Sequence, residues 1–175
     1  IGEMAEQTLF EIFDDRIFDE ESIRRANKMA KIYVEMLTND IRSLAGFINL
    51  ARNETYLCRH SIATAIFGLL LAKADENQND KMLSIVGLAG LLHDVGMSKM
   101  PKEINDADRK LTNEEWAMVK SHPIIASKMI DTIPSFPIEV KMAIEQHHEF
   151  WNGKGYPKGI KGDEIYYPAR IVAIA

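Results

Sequence analysis

Apolar residues return along this chain in steps of three and four, and that period dictates its secondary structure. Ile23, Ala26, Ala30, Val34, Leu37, Ile41, Leu44 and Ile48 trace one face of a long helix. Ile62, Ile66, Leu69 and Leu70 lie inward on a helix from Tyr56 to about Ala74, and Met82, Ile85, Ala89 and Leu92 on one from Lys81 to His93. No stretch alternates with period two as a half-buried strand does, and no repeat or low-complexity tract breaks the pattern. The expected fold class is all-α.

The remaining elements follow from punctuation. A short amphipathic helix and turn reach Asp19, and Lys102 to Lys110 reads as a charged loop. Thr112 and Glu115 have the spacing of a capping box, which opens a helix from Asn113 to about Ser121. Pro123 restricts His122 to a helix junction. An apolar segment covers Ile124 to Ile133, Pro134 and Pro137 separate it from a helix over Ile138 to Glu149, and a Gly-rich loop precedes the start of a last helix after Asp163. The stripe from Ile23 suits a helix packed on its own domain, the preferred reading, or a homodimerising helix that links the domain to an upstream sensor or receiver.

With 175 residues and 46% hydrophobic content, the chain fits one compact domain with an N-terminal helical extension, divided here as 1–52 and 53–175. The net charge of −5 argues against partners that need a basic surface, namely nucleic-acid polymers and anionic membranes. An anionic substrate must therefore be met by local charge. The single cysteine, Cys58, cannot close an internal disulfide, which suits a reducing cytoplasm. The longest apolar run, Ala65 to Ala72, is far short of the ~20 residues that span a bilayer. The first residue is Ile, so a fragment of a longer protein is expected.

Chemistry concentrates in the five histidines. His93-Asp94 ends the apolar run from Leu83, and His60, His122, His147 and His148 all fall beside apolar helical pattern. Each alone is compatible with a packed or surface imidazole. Brought together, five imidazoles and one carboxylate are too many for one tetrahedral site and suit two cations bridged by Asp94. Such a pair lowers the pKa of a shared water and stabilises the attacking and leaving oxygens of a phosphoryl displacement.

His93-Asp94-Val95-Gly96, His122-Pro123, His147-His148-Glu149, Gly153 and Gly155-Tyr156-Pro157 together resemble the HD-GYP family of the HD-domain superfamily, from about Thr55 to the end of the chain. The resemblance implies an HD-domain helical bundle and a bacterial signal-transduction enzyme that hydrolyses cyclic di-GMP to linear pGpG or on to GMP. It also implies that His60, His93, Asp94, His122, His147 and His148 are metal ligands for two divalent ions, iron or manganese. The chain departs from the family in four places. Met97 stands where the family has a lysine, leaving Lys99 as the substitute. Tyr56 stands where members with three metals have a glutamate, which favours two. Asn152-Gly153 replaces the usual Asp-Gly and keeps the turn. The run Ala169 to Ala175 stops where the family's last ligand, an aspartate, would follow. The given sequence is accordingly expected to be part of a longer chain.

Asp94 and Lys99 are thus the expected catalytic residues. Lys99, Tyr156, Lys154 and Trp151 are the candidate substrate contacts, the two aromatic rings as faces for guanine or as packing. Glu149 orients an imidazole or is an exposed helix end. Two alternatives to cyclic di-GMP hydrolysis stay open: a phosphodiesterase for 3',3'-cyclic GMP-AMP, and a catalytically weak module that binds the dinucleotide or docks another protein.

Overall fold

The computed structural model describes residues 2–13, 17–39, 55–75 and 79–175. Among these residues there is no strand, as the apolar period predicts. The helices are α1 (Gly2–Phe13), α2 (Glu20–Asn39), α3 (Tyr56–Lys73), α4 (Asp80–Leu92), α5 (Lys102–Asn105), α6 (Asn113–Val119), α7 (His122–Ile130), α8 (Ile138–Gln146) and α9 (Tyr167–Ile174), with a 3-10 turn at Val95–Lys99.

Helix α4 is the axis of the bundle. It is apolar all round, every residue from Ile85 to Leu92 is buried, and a helix with no polar face is stable only when covered on every side. Helices α2, α3, α8 and α9 provide the cover. Asn79 caps α4 by accepting the Met82 amide at 3.0 Å, so the helix starts at a fixed residue and ends at His93. Helix α3 runs antiparallel to it and approaches closely. A Cβ on Gly90 would stand 2.6 Å from the Ala65 Cα, and only the missing side chain allows this spacing. The approach matters because it carries the first turn of α3, with His60, to the end of α4, with His93.

Leu9, Ile12, Ala26, Met29, Ala30 and Tyr33 are fully buried in the same apolar cluster as α3 and α4. The described part of α2 therefore spends its apolar face on the bundle. The expected continuation through Ile41, Leu44 and Ile48 lies outside the described residues. Asp19 and Ser22 cap each other at the start of α2, the Ser22 amide donating to Asp19 at 2.8 Å and the Asp19 amide to the Ser22 hydroxyl at 3.0 Å.

Three boundaries differ from the sequence expectation. Lys102 to Asn105 is a helical turn and not a loop, because Pro101 presets its entry, Ile104 is buried and Asn105 donates to the Met97 carbonyl at 3.1 Å. Helix α7 begins at His122 itself, with Pro123 in its first turn where no amide is needed. Helix α8 stops at Gln146, so His147 and His148 stand at its end. The capping box of α6 forms as expected, with Arg109 gripping Glu115 at 2.6 and 2.7 Å, although α6 buries none of its residues.

Candidate metal centre

Every histidine of the chain is at or near a helix end, and the bundle turns those ends towards one another. His60 comes from the first turns of α3, His93 from the end of α4, His122 from the start of α7, and His147 and His148 from the end of α8. Asp94 opens the 3-10 turn between α4 and α5. A Cβ on Gly96 in that turn would stand 2.1 Å from the His122 carbonyl oxygen. Glycine at this one position lets the turn lie against α7, and so lets Asp94 reach His122.

The two carboxylate oxygens of Asp94 divide the histidines. Oδ1 lies 3.1 Å from His122 Nε2 and 3.8 Å from His147 Nε2, while Oδ2 lies 3.3 Å from His93 Nε2 and 3.6 Å from His60 Nε2. Asp94, His122, His147 and His148 form one set of donor atoms within 4.8 Å of one another, and His60, His93 and Asp94 form another. We call these the deep and the outer group. All six residues singled out as ligands in the sequence thus converge on one place.

Three imidazoles have their tautomer fixed by the backbone. Nδ1 of His93, His122 and His147 lies 2.9, 2.7 and 2.6 Å from the carbonyl three residues earlier, on Gly90, Val119 and Ile144. A carbonyl only accepts, so each Nδ1 carries the proton and each neutral ring turns an Nε2 lone pair towards Asp94. In the deep group this has a consequence. His122 Nε2 and His147 Nε2 face each other at 3.2 Å, and His122 Nε2 also faces an anionic oxygen. Lone pairs cannot hydrogen-bond to one another; only a proton or a cation between them makes the arrangement favourable. Two imidazoles at right angles on one cation ~2.1 Å away have their nitrogens about 3 Å apart, the spacing seen here. The donors present therefore fit a divalent metal ion.

Electrostatics agrees. Burial, with the neighbouring His93 and His148, holds the His147 pKa well below its usual value, and burial with His122 takes His148 down to about 4. Burial likewise lowers His60. For His93 burial acts downwards, but the Asp94 charge and hydrogen bonding outweigh it and raise the pKa. Burial would raise Asp94, yet the neighbouring His93, His122 and His147 hold it well below the carboxylate range. The centre presents mostly neutral imidazoles around an ionised carboxylate, the protonation state that metal binding requires.

Among the four candidate substrate contacts, Tyr156 alone stacks on a histidine of the cluster. Its ring lies on His148 with centroids 4.6 Å apart, and burial raises its pKa to about 12. Trp151 and Lys154 are exposed on the same loop, and the Arg170 guanidinium covers the Trp151 ring at 4.9 Å. Lys99 is exposed at the end of the 3-10 turn and forms no hydrogen bond or ion pair with any described residue. Two ring contacts beside the centre are not among the sequence expectations. Tyr56 stacks on His60 at 5.7 Å, and the Lys120 ammonium lies 5.9 Å from the Tyr156 ring. The first was legible as a helical i, i+4 pair. Glu149 takes neither expected role: it is buried, and its Oε1 accepts the Lys158 and Gly159 amides at 2.6 and 3.1 Å, tying the Gly-rich loop down.

Comparison with known proteins gives three findings. The HD domain family matches residues 47–175. A cyclic di-GMP phosphodiesterase of Pseudomonas aeruginosa is 32% identical over 132 residues, 75% of this chain and 32% of that protein, and a 3'3'-cGAMP-specific phosphodiesterase of Vibrio cholerae is 32% identical over 120 residues, 69% of this chain and 26% of that protein. The chain thus spans about a third or less of the length of these relatives. Among solved structures, an HDG"Y"P protein from Bdellovibrio bacteriovorus superposes with a TM-score of 0.81 over 97% of this chain and 55% of that one, at 24% identity, a likeness of fold.

Proposed function

The chain belongs to the HD domain family, in its HD-GYP branch, and from that premise we propose that it is a metal-dependent phosphodiesterase that hydrolyses cyclic di-GMP to linear pGpG or GMP. The observation that carries this reading is one carboxylate set between two groups of imidazole nitrogens, with facing lone pairs in the deep group. His60, His93, Asp94, His122, His147 and His148 hold two divalent cations, iron or manganese, which suit a centre of imidazole and carboxylate donors. Bound there, the cations supply Lewis acidity and lower the pKa of a water that attacks phosphorus.

The chain's own residues do the rest. The carbonyls of Gly90, Val119 and Ile144 keep three Nε2 lone pairs aimed inwards, so these three rings need not turn on binding. Asp94 provides the negative charge, one oxygen to each group. The loop tied down by Glu149 carries Tyr156 and Trp151, the aromatic contacts assigned to the guanine bases, and Lys99 and Lys154 add local positive charge for the phosphodiesters of an otherwise acidic protein. An upstream sensor or receiver domain and a homodimer through the N-terminal helix are further partners compatible with this reading, although the described part of α2 spends its apolar face on the bundle.

The 3',3'-cyclic GMP-AMP alternative is supported by the Vibrio cholerae relative. The test is a competition: full-length, manganese-loaded protein is given both dinucleotides in equal amount, and products are separated by chromatography. The proposal expects pGpG or GMP from cyclic di-GMP with at least about tenfold higher kcat/KM, a preference of ~1.4 kcal/mol. The reverse ratio assigns the enzyme to the mixed dinucleotide, and binding without turnover assigns it to the binding modules.

A further inference from the structure

The donors differ in what holds their rings. His93, His122 and His147 are pinned through Nδ1 to backbone carbonyls and are buried. His148 is enclosed by rings on several sides, those of His122 at 5.1 Å, His147 at 4.1 Å and Tyr156 at 4.6 Å. His60 has neither form of support. Its side chain is 38% exposed, and its Nδ1 has no hydrogen-bond partner among the described residues. Two rings touch it: the edge of His93, with centroids 4.9 Å apart at 70°, and the face of Tyr56, 5.7 Å apart and within 7° of parallel.

Tyr56 precedes His60 by four residues on the first turn of α3, so helical geometry sets the two rings on one face. The tyrosine is 66% exposed and contributes little to the apolar core. What it covers is one face of His60. Without that cover the imidazole is free to turn about its terminal torsion and offer either nitrogen, or to swing into solvent, and ordering it again opposes cation binding.

We propose that Tyr56 is a positioning residue of the outer group: its stacked ring holds His60 with Nε2 towards Asp94, and so sets how tightly that group binds its cation. This rests on the two-cation reading given above. The part used is the aromatic face, and the phenolic oxygen is dispensable. A stacked pair of this kind changes affinity by roughly threefold to tenfold.

The experiment is calorimetric titration of metal-free protein with Mn²⁺, which needs no turnover. Wild type is expected to show two binding events. Tyr56→Ala weakens the weaker one threefold to tenfold and leaves the tighter one within twofold, whereas Tyr56→Phe keeps both. Thermal unfolding of the metal-free variants should match wild type, since the residue is exposed. Three results overturn the inference: no change in Tyr56→Ala, equal weakening of both events, or a Tyr56→Phe variant as impaired as the alanine, which would make the phenol a ligand. A single event in wild type contradicts the two-cation reading, and the inference with it.

Discussion

Oδ1 of Asp94 faces His122 and His147, both buried and both locked by carbonyls into the tautomer that directs a lone pair inwards. Oδ2 faces His93, locked in the same way, and His60, which is partly open to solvent and locked by no backbone group among the described residues. The difference decides how each group behaves without metal. In the outer group His60 can carry its proton on Nε2 and donate to His93 Nε2 at 3.1 Å, an ordinary hydrogen bond. In the deep group the equivalent contact sets lone pair against lone pair. In the proposed two-cation centre a cation would relieve a repulsion in the deep group and displace a hydrogen bond in the outer one, so the proposal expects the deep group to bind more tightly.

The severest way to break this comparison is to remove what the groups share. Asp94→Asn keeps the shape but loses the charge and one acceptor oxygen. Both cations should be lost at micromolar metal, and kcat/KM for cyclic di-GMP should fall roughly 10³-fold or more, on the order of 4 kcal/mol. Elemental analysis that still finds a full deep group in this variant would show that Asp94 is not the shared ligand. Smaller and unequal effects should follow from changes on either side. His122→Ala should abolish the tighter Mn²⁺ event, while His60→Ala should leave it in place and abolish only the weaker one. Equal losses in the two variants would merge the groups into one site.

The smallest effect is on stability and pH in the metal-free state. His148 has a folded pKa of about 4 against an ordinary value near 6.5. A depressed folded pKa means that the unfolded chain takes up the proton first as pH falls. The stabilisation is complete above pH 6.5 and is lost progressively between 6.5 and about 4. His147 and His60 shift in the same direction and His93 in the opposite one. Urea unfolding at pH 7.5 and 5 should show a smaller decline for His148→Asn than for wild type. An identical decline would place the acid sensitivity elsewhere.

Much of this molecule was legible before any coordinates. Spacing by three and four marks the longer helices, but it assigns Met82, Ile85, Ala89 and Leu92 to one face of α4, whereas the bundle buries every residue from Ile85 to Leu92. The short motifs contain five of the six donors, and the family resemblance adds His60. Their division into two groups was not legible, because it depends on which helix end approaches which carboxylate oxygen. Those approaches turn on Gly90 against Ala65 and Gly96 against His122, contacts that no local pattern encodes. In the sequence Tyr56 stands out for the glutamate it replaces, while its i, i+4 spacing to His60 is what sets its ring on the imidazole. Glu149 was misassigned: its neighbour in sequence is His148, but its neighbours in space are the Lys158 and Gly159 amides.

The most direct test of the centre is metal content measured on the same sample as turnover. Protein purified without added metal is analysed for iron and manganese and assayed with cyclic di-GMP. Two ions per chain, accompanied by hydrolysis that a chelator abolishes and manganese restores, is the result the two-group centre predicts. One ion or none, with no hydrolysis after manganese or ferrous iron is supplied, would contradict it.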